Sequence, residues 1–236
     1  MKKFELTTDF ITAFGMKLFR IRATVAFGNV KEGELGGYVE KEENLEQEGN
    51  AWVFGNARVF GDARVFGDAW VSGDAQVSGN AWVFGNARVF GDARVFGDAW
   101  VSGDAWVSGD ARVSGDARVY GDAQVSGNAW VFGNARVSGN AWVSGDAQVY
   151  GNAQVSGDAR VYGNADYAGV KGFGTECRHT TFFRCKDGKV RVKCGCFYGT
   201  IPEFRKQVKA TRDGKIAKEY LMIADLMEYH FEQAEE

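Results

Sequence analysis

The sequence predicts an all-β solenoid, a triangular parallel β-helix of eighteen residues per coil, with an N-terminal β cap and a small C-terminal α/β module. Three observations lead there. Residues 49–168 hold twenty consecutive six-residue units, Gly-[Asp/Asn]-Ala-x-Val-[Phe/Ser/Tyr], the last (GNADYA) degenerate. In each unit Ala and Val stand two apart, so an extended chain turns both to one side and x to the other. Gly and Asp or Asn follow, residues suited to a tight turn and to left-handed backbone angles.

Each unit is therefore a short strand and a corner. Gly and β-branched Val in every unit work against a helix. The corners are too short for crossovers and lack hairpin spacing, which disfavours a flat sheet. Three units close one coil, and coils stack by parallel hydrogen bonding at about 4.8 Å. Val and Ala fill a narrow prism. Twenty units make between six and seven coils, a rod of about 30 Å.

The phrase V-x-G-[DN]-A-x resembles the hexapeptide of left-handed β-helix proteins, familiar from bacterial acyltransferases. The lead-in GELGGYVEKEENL and the tail VKCGCFYGTIPEF resemble a narrower group, uncharacterised bacterial and phage hexapeptide-repeat proteins labelled acyltransferases by analogy. The resemblance covers most of the chain. It implies left-handed winding and an enzyme that takes an acyl-coenzyme A at a subunit interface. Phage relatives also imply a host-directed role, such as blocking a defence enzyme.

Composition divides the chain into residues 1–48, 49–168 and 169–236. In the first segment LFRIRATVAF alternates, with Phe19, Ile21, Ala23 and Val25 on one side and Arg20, Arg22 and Thr24 on the other. It reads as cap strands over the first coil, which would otherwise expose unpaired backbone and invite end-to-end polymerisation. In the last segment FFRCKDGKVRVKC reads as a hairpin turning on Asp187-Gly188. Thr200 and Glu203 have capping-box spacing ahead of a helix over 201–210. A second helix over 216–233 carries an apolar stripe at Ile216, Tyr220, Ile223, Met227 and Phe231.

Charge excludes little but biases the choice of partner. Against 31 Asp+Glu stand 28 Lys+Arg, a formal −3 that gives no electrostatic reason for nucleic-acid or anionic-membrane binding. There is no apolar run of about 18 residues, so no membrane span is expected. MKKFELTTDF lacks the apolar core of a signal peptide. Cys177, Cys185, Cys194 and Cys196 read as free thiols in a reducing cytoplasm.

The position before Val holds Trp seven times, Arg eight and Gln four. Sorted by the coil period, one face carries Trp52, Trp70, Arg88, Trp106, Gln124, Trp142 and Arg160. A second carries Arg58, Gln76, Arg94, Arg112, Trp130, Gln148 and Asp166. The third carries Arg64, Trp82, Trp100, Arg118, Arg136 and Gln154. Such columns suit an oligomer face, a sugar-stacking ladder or a base-stacking platform, or they support one another as a generic pleated surface. Residues 49–75 recur unchanged at 79–105, an offset of thirty that rotates the copy by two faces. A face-specific site would have been scrambled, which favours the generic ladder. Trp52, Trp70, Trp106 and Trp142 are the interface candidates, for a homodimer or homotrimer packed through a flat face.

At the corners Asp74, Asp92 and Asp110 stack, but the calcium-type GGxGxD repeat is absent. The corner side chains are expected to accept backbone N–H groups at the turn. No Thr lies between Gly49 and Ala168, which removes an ice-binding surface. The acyltransferases use a histidine base, and the array has none. The two histidines, His179 and His230, match no family position, so no catalytic residue is assigned. With a two-residue turn, Cys194 would face Thr181 and Cys196 would face His179. Cys177, His179, Cys194 and Cys196 would then share one side as a zinc candidate. Neighbours two apart on a strand are nearly 7 Å apart, too wide for a tetrahedral site without a bulge. Buried cysteines under the helix are the expectation, with no metal and no cofactor. The reading is a non-enzymatic scaffold or protein-binding rod whose C-terminal module does the recognising. The alternatives are the acyltransferase-like enzyme and a nucleic-acid mimic, the latter resting on eight Arg against twelve Asp in the array.

Overall fold

The computed structural model describes residues 2–232. The array winds as a parallel β-solenoid. Its two-residue strands run from β4 (Trp52–Val53) to β22 (Arg160–Val161), and each as far as β19 (Trp142–Val143) pairs with the strand eighteen residues on. Three sheets result. The first face is a seven-stranded sheet and the third a six-stranded one. Every repeat Val and Ala from Ala51 to Val161 is fully buried in one continuous core. Side chains of period two do this only if every corner turns the chain without a Cβ. Each array glycine from Gly49 to Gly157 has positive φ. At Gly97, φ +74°, a Cβ would stand 3.0 Å from the Gly115 nitrogen of the next coil.

The coils are joined by parallel ladders whose bonds alternate in direction. One set of amides donates to a carbonyl seventeen residues ahead, as in Trp82 N to Ala99 O (2.9 Å) and Phe84 N to Val101 O (3.0 Å). The Val amides between them donate back to the preceding coil, as the register of Trp82 with Trp100 and Val83 with Val101 requires. Each end of the rod is therefore left with both carbonyls needing donors and amides needing acceptors.

The N-terminal cap supplies both, with the carboxylates of Glu40 and Glu46 accepting from the amides of Gly61 (2.7 Å) and Gly67 (3.0 Å). A hairpin of β1 (Phe4–Ala13) and β2 (Met16–Ala23) adds to β3 (Leu35–Val39), extending the second face to nine strands. Winding already begins at β3, whose Tyr38 and Val39 pair in parallel with Arg58 and Val59. Leu45 then bridges Val65, forming an irregular first turn. The Asn44 amide, wholly buried, donates to the carbonyls of Gly61 (3.0 Å) and Ala63 (2.9 Å) while its oxygen accepts from Glu40 and Lys41. The Lys3 ammonium donates to the carbonyls of Glu48, Gly49 and Ala51. Burial draws its pKa down to about 8. The expected alternation of β2 is broken. Leu18, Ile21 and Ala23 are buried and Phe19 is half-buried, because a register shift between Arg20 and Arg22 changes the phase.

The C-terminal cap likewise supplies both, the Lys186 amide donating to the Asp158 carbonyl (2.9 Å). The degenerate unit does not form another rung. Gly163 has ordinary negative φ, and Asn164–Asp166 forms a 3₁₀ turn. Asp166 therefore leaves the second-face column where the coil period had placed it; it accepts from the amides of Tyr162 and Gly163. Asn164 Oδ1 takes the Gln148 amide (2.9 Å), and Thr181 Oγ1 takes the Gln154 amide (3.0 Å). Thr181 belongs to an antiparallel sheet of β23 (Tyr167–Phe173), β24 (Arg178–Arg184), β25 (Val190–Cys194) and β26 (Phe197–Thr200). One side of that sheet sends Tyr167, Phe183 and Cys185 into the end of the solenoid core. The other packs Phe182 and Val192 under α1 (Ile201–Thr211) and α2 (Gly214–Glu232). The Thr200–Glu203 capping box is present, and the α2 stripe of Tyr220, Ile223, Met227 and Phe231 is buried, with Ile216 partly so. Position 233, the last of the expected second helix, lies outside the described residues.

We expect Asn44→Ala to cost roughly 3 kcal/mol, since it strands two buried carbonyls and two amides at the closed end. Urea melts of the full chain measure this. A loss under about 0.5 kcal/mol would show that water replaces the side chain.

Candidate functional site

Three places were legible as candidates: the aromatic faces, the acidic corners and the cysteine-rich module. On the faces, the rings stack along the rod axis. Trp82 lies on Trp100 at 5.3 Å and 3° between planes, and Phe66 on Phe84 at 4.9 Å and 1°. Arginines fill other rungs. Arg88 sits between Trp70 (5.2 Å) and Trp106 (5.5 Å), Arg118 lies over Trp100 (4.5 Å) and Arg160 over Trp142 (4.7 Å). These π surfaces are thus covered by the neighbouring coil, and ring edges point outward. A sugar- or base-stacking platform needs exposed ring faces, which the stacked rungs do not offer.

The four interface candidates divide. Trp52 is fully buried, packed by Phe4 and Phe27 of the cap at 6.2 and 5.3 Å. It belongs to the closed end and not to an outer face, because the coil period fixes direction but not what lies over the first rung. Trp70 is half-buried against Phe54. Trp106 and Trp142 remain 40% and 41% exposed.

The corners differ from expectation. At five corners where an Asn precedes an Asp along the axis, its amide donates to the carboxylate eighteen residues ahead. Asn50–Asp68 (2.7 Å), Asn80–Asp98 (2.9 Å), Asn86–Asp104 (2.9 Å), Asn128–Asp146 (3.0 Å) and Asn140–Asp158 (3.3 Å) all do so, whereas Asn56 makes no such bond to Asp74. The corner amides are already bonded along the backbone, as in Asp74 N to Gly91 O, so the side chains turn to each other. Mixing Asn with Asp thereby converts a like-charge stack into a hydrogen-bonded one.

In the module, register overturns the zinc arrangement. The β24–β25 hairpin turns through three residues, Lys186 to Gly188, with Gly188 at φ +74°. Every pair slides by one, so Cys194 faces Thr180 and Val190 faces Arg184. A one-residue slip moves a side chain to the other side of its sheet. Cys194 now packs toward the helices, accepting a hydrogen bond from Thr180 Oγ1. His179, one residue from Thr180, points the other way. Cys177 and Cys196 lie exposed in turns. Among the described residues no three His, Cys, Asp or Glu side chains gather as metal ligands.

What the sequence reading missed is a shelf where the module meets the last coil. A cavity of about 380 Å³ is lined by Asp158, Cys185, Lys186, Asp187, Arg191 and Tyr198. Burial pushes the Cys185 thiol up and the Tyr198 hydroxyl up to about 12. Neither supplies an ionised nucleophile at neutral pH. A larger cavity of about 620 Å³ lies between the hairpin tip and the two helices, over Val190, Ile201, Pro202 and Phe231. Its Arg184 is already engaged by the Phe231 carbonyl and Asp166.

The architecture defines a parallel β-solenoid repeat protein. Its repeats are matched by the family model described as YdcK beta solenoid repeat, at residues 57–73, 75–89, 87–103, 105–121, 111–127, 129–145 and 153–165. That description names a repeat and no activity. No curated protein matches the chain. Among the described residues no helix is long and apolar enough to cross a membrane.

His179 generates a pH expectation. Its Nε2 is buried without a hydrogen-bond partner, lying where a Cβ at Gly169 would be 2.6 Å away. Burial, then the Lys171 ammonium, lowers its pKa below 6.5. The unfolded chain therefore binds a proton near 6.5 that the folded chain refuses. Stability is full above that pH and falls as pH drops through the window below it. We expect denaturant melts at pH 7 and pH 5 to show this loss, and His179→Gln to reduce it. An equal loss in both proteins would contradict the assignment.

Proposed function

We propose that the protein is a non-enzymatic scaffold, a stiff rod that holds its C-terminal module at a fixed distance from its N-terminal cap, with that module binding a protein partner. The observation that carries this reading is on α2. Its buried stripe faces the sheet, yet Met222 and Leu226, one turn apart on another side, are 61% and 57% exposed. Paired apolar side chains at that spacing are the anchors by which a helix meets a groove or a second helix. The array offers less to a small ligand, because its ring faces and corner amides are occupied by its own coils. The individual sequence of the module, beside a copied array, points the same way. Blocking a host enzyme is one form that such recognition would take.

The test uses the full chain. Met222→Glu with Leu226→Glu should abolish capture of a cross-linked partner while leaving the thermal midpoint within about 2 °C, as surface changes do. Trp106→Ala with Trp142→Ala should leave capture intact. Loss of capture only in the tryptophan variant would move recognition to the rod.

A further inference from the structure

The second face carries two columns of like charge that no ion pair among the described residues engages. Arg94 and Arg112 are register partners on adjacent coils, both exposed. Two residues before them, at the corner, stand Asp92 and Asp110, with Asp74 one coil below; all three are exposed. Among the described residues no ion pair engages any of the five. No ring covers Arg94 or Arg112, in contrast to Arg88, Arg118 and Arg160. No Asn interrupts the Asp74–Asp92–Asp110 run, in contrast to the hydrogen-bonded corners. Like charges stacked at about 5 Å repel. Each column also lies beside one of opposite sign, level with it because Asp92 and Arg94 share a coil, as do Asp110 and Arg112.

From this we infer that two copies of the chain pair side by side, rods parallel, about a two-fold axis that runs along the rod between the aspartate corner and the arginine column. Such an axis preserves height and exchanges the two columns. Arg94 meets Asp92 of the second copy, Arg112 meets Asp110 of the second copy, and both pairs recur by symmetry. Gln76 comes level with Asp74 of the second copy and donates to it. An axis across the rod would instead set each column against its own kind. The other faces lack the pattern. Arg88 and Arg136 follow Asn86 and Asn134 at their corners, Arg118 and Arg160 are covered by rings, and Asp62, which precedes Arg64, is already paired with Lys41. Parallel pairing sets both C-terminal modules at the same end of the dimer. The contact is a narrow polar strip, so it is weak, reversible and salt-sensitive. It rests on the charge columns and not on recognition by α2.

Sedimentation velocity of the full chain over a concentration series tests it. Wild type should form dimers in about 50 mM NaCl, with the dissociation constant rising at least about tenfold in 500 mM. Arg94→Glu with Arg112→Glu should be monomeric, and so should Asp92→Lys with Asp110→Lys, each with unchanged circular dichroism. Mixed, these two variants should form a heterodimer, since every facing pair is again of opposite sign. A monomeric wild type, dimers that survive either reversal, or failure of the mixture to associate would overturn the pairing and leave the rod-and-module reading standing. Dimers lost instead on Trp106→Ala with Trp142→Ala would place the contact on the first face and overturn it equally.

Discussion

The fold depends on one interaction, the hydrogen bond from a strand amide to the carbonyl seventeen residues ahead. Repeated on three faces, it spaces the coils, sets the ladders in register and gives the rod a direction. Because the N–H groups of the ladder alternate in direction, each end presents both donors and acceptors that must be met. At the N-terminal end Lys3 and Asn44 donate to open carbonyls while Glu40 and Glu46 accept from the amides of Gly61 and Gly67. At the C-terminal end Asn164 and Thr181 accept from open amides while the Lys186 amide donates to the Asp158 carbonyl. Removing either cap would leave these bonds unmade in a buried setting.

The same spacing decides what the surface can do. At the interval between coils, neighbouring rings lie in van der Waals contact, so indoles stack on indoles or on guanidinium groups and their faces are hidden. Corner amides likewise reach corner carboxylates. The rod thereby satisfies most of its own surface, which tolerates a thirty-residue duplication that rotates Trp52 and its copy Trp82 onto different faces. One copy ended beneath the cap and the other in a ladder. Chemistry that depends on individual position is left to the capped ends and to the few rungs where the pattern breaks.

The sequence was most informative where period alone decides. Strand positions, coil length, the Val/Ala core and face membership as far as Arg160 all follow from two-residue alternation and an eighteen-residue closure, and all are present; only Asp166 leaves its column. It was least informative where a single residue shifts a phase. One extra residue in the Lys186–Gly188 turn sent Cys194 to the opposite side of the sheet from His179 and dispersed the zinc candidates. A register shift between Arg20 and Arg22 did the same to the alternation of β2. Lys3 looked like part of a poor leader; its role depends on three carbonyls contributed by residues 48–51. Long-range polar closure of this kind leaves no periodic trace, although the rule that an open coil edge needs both donors and acceptors narrows which side chains to look for.

The central claim is a dry interior bound by an unbroken axial ladder. Hydrogen exchange of the array amides, followed residue by residue from Trp52 to Arg160, tests it most directly. The account requires slow exchange of the strand amides throughout the shaft, opening together with global unfolding. Fast exchange in the middle coils while both ends stay protected would contradict it, because an interior lined by those valines gives water no entry there.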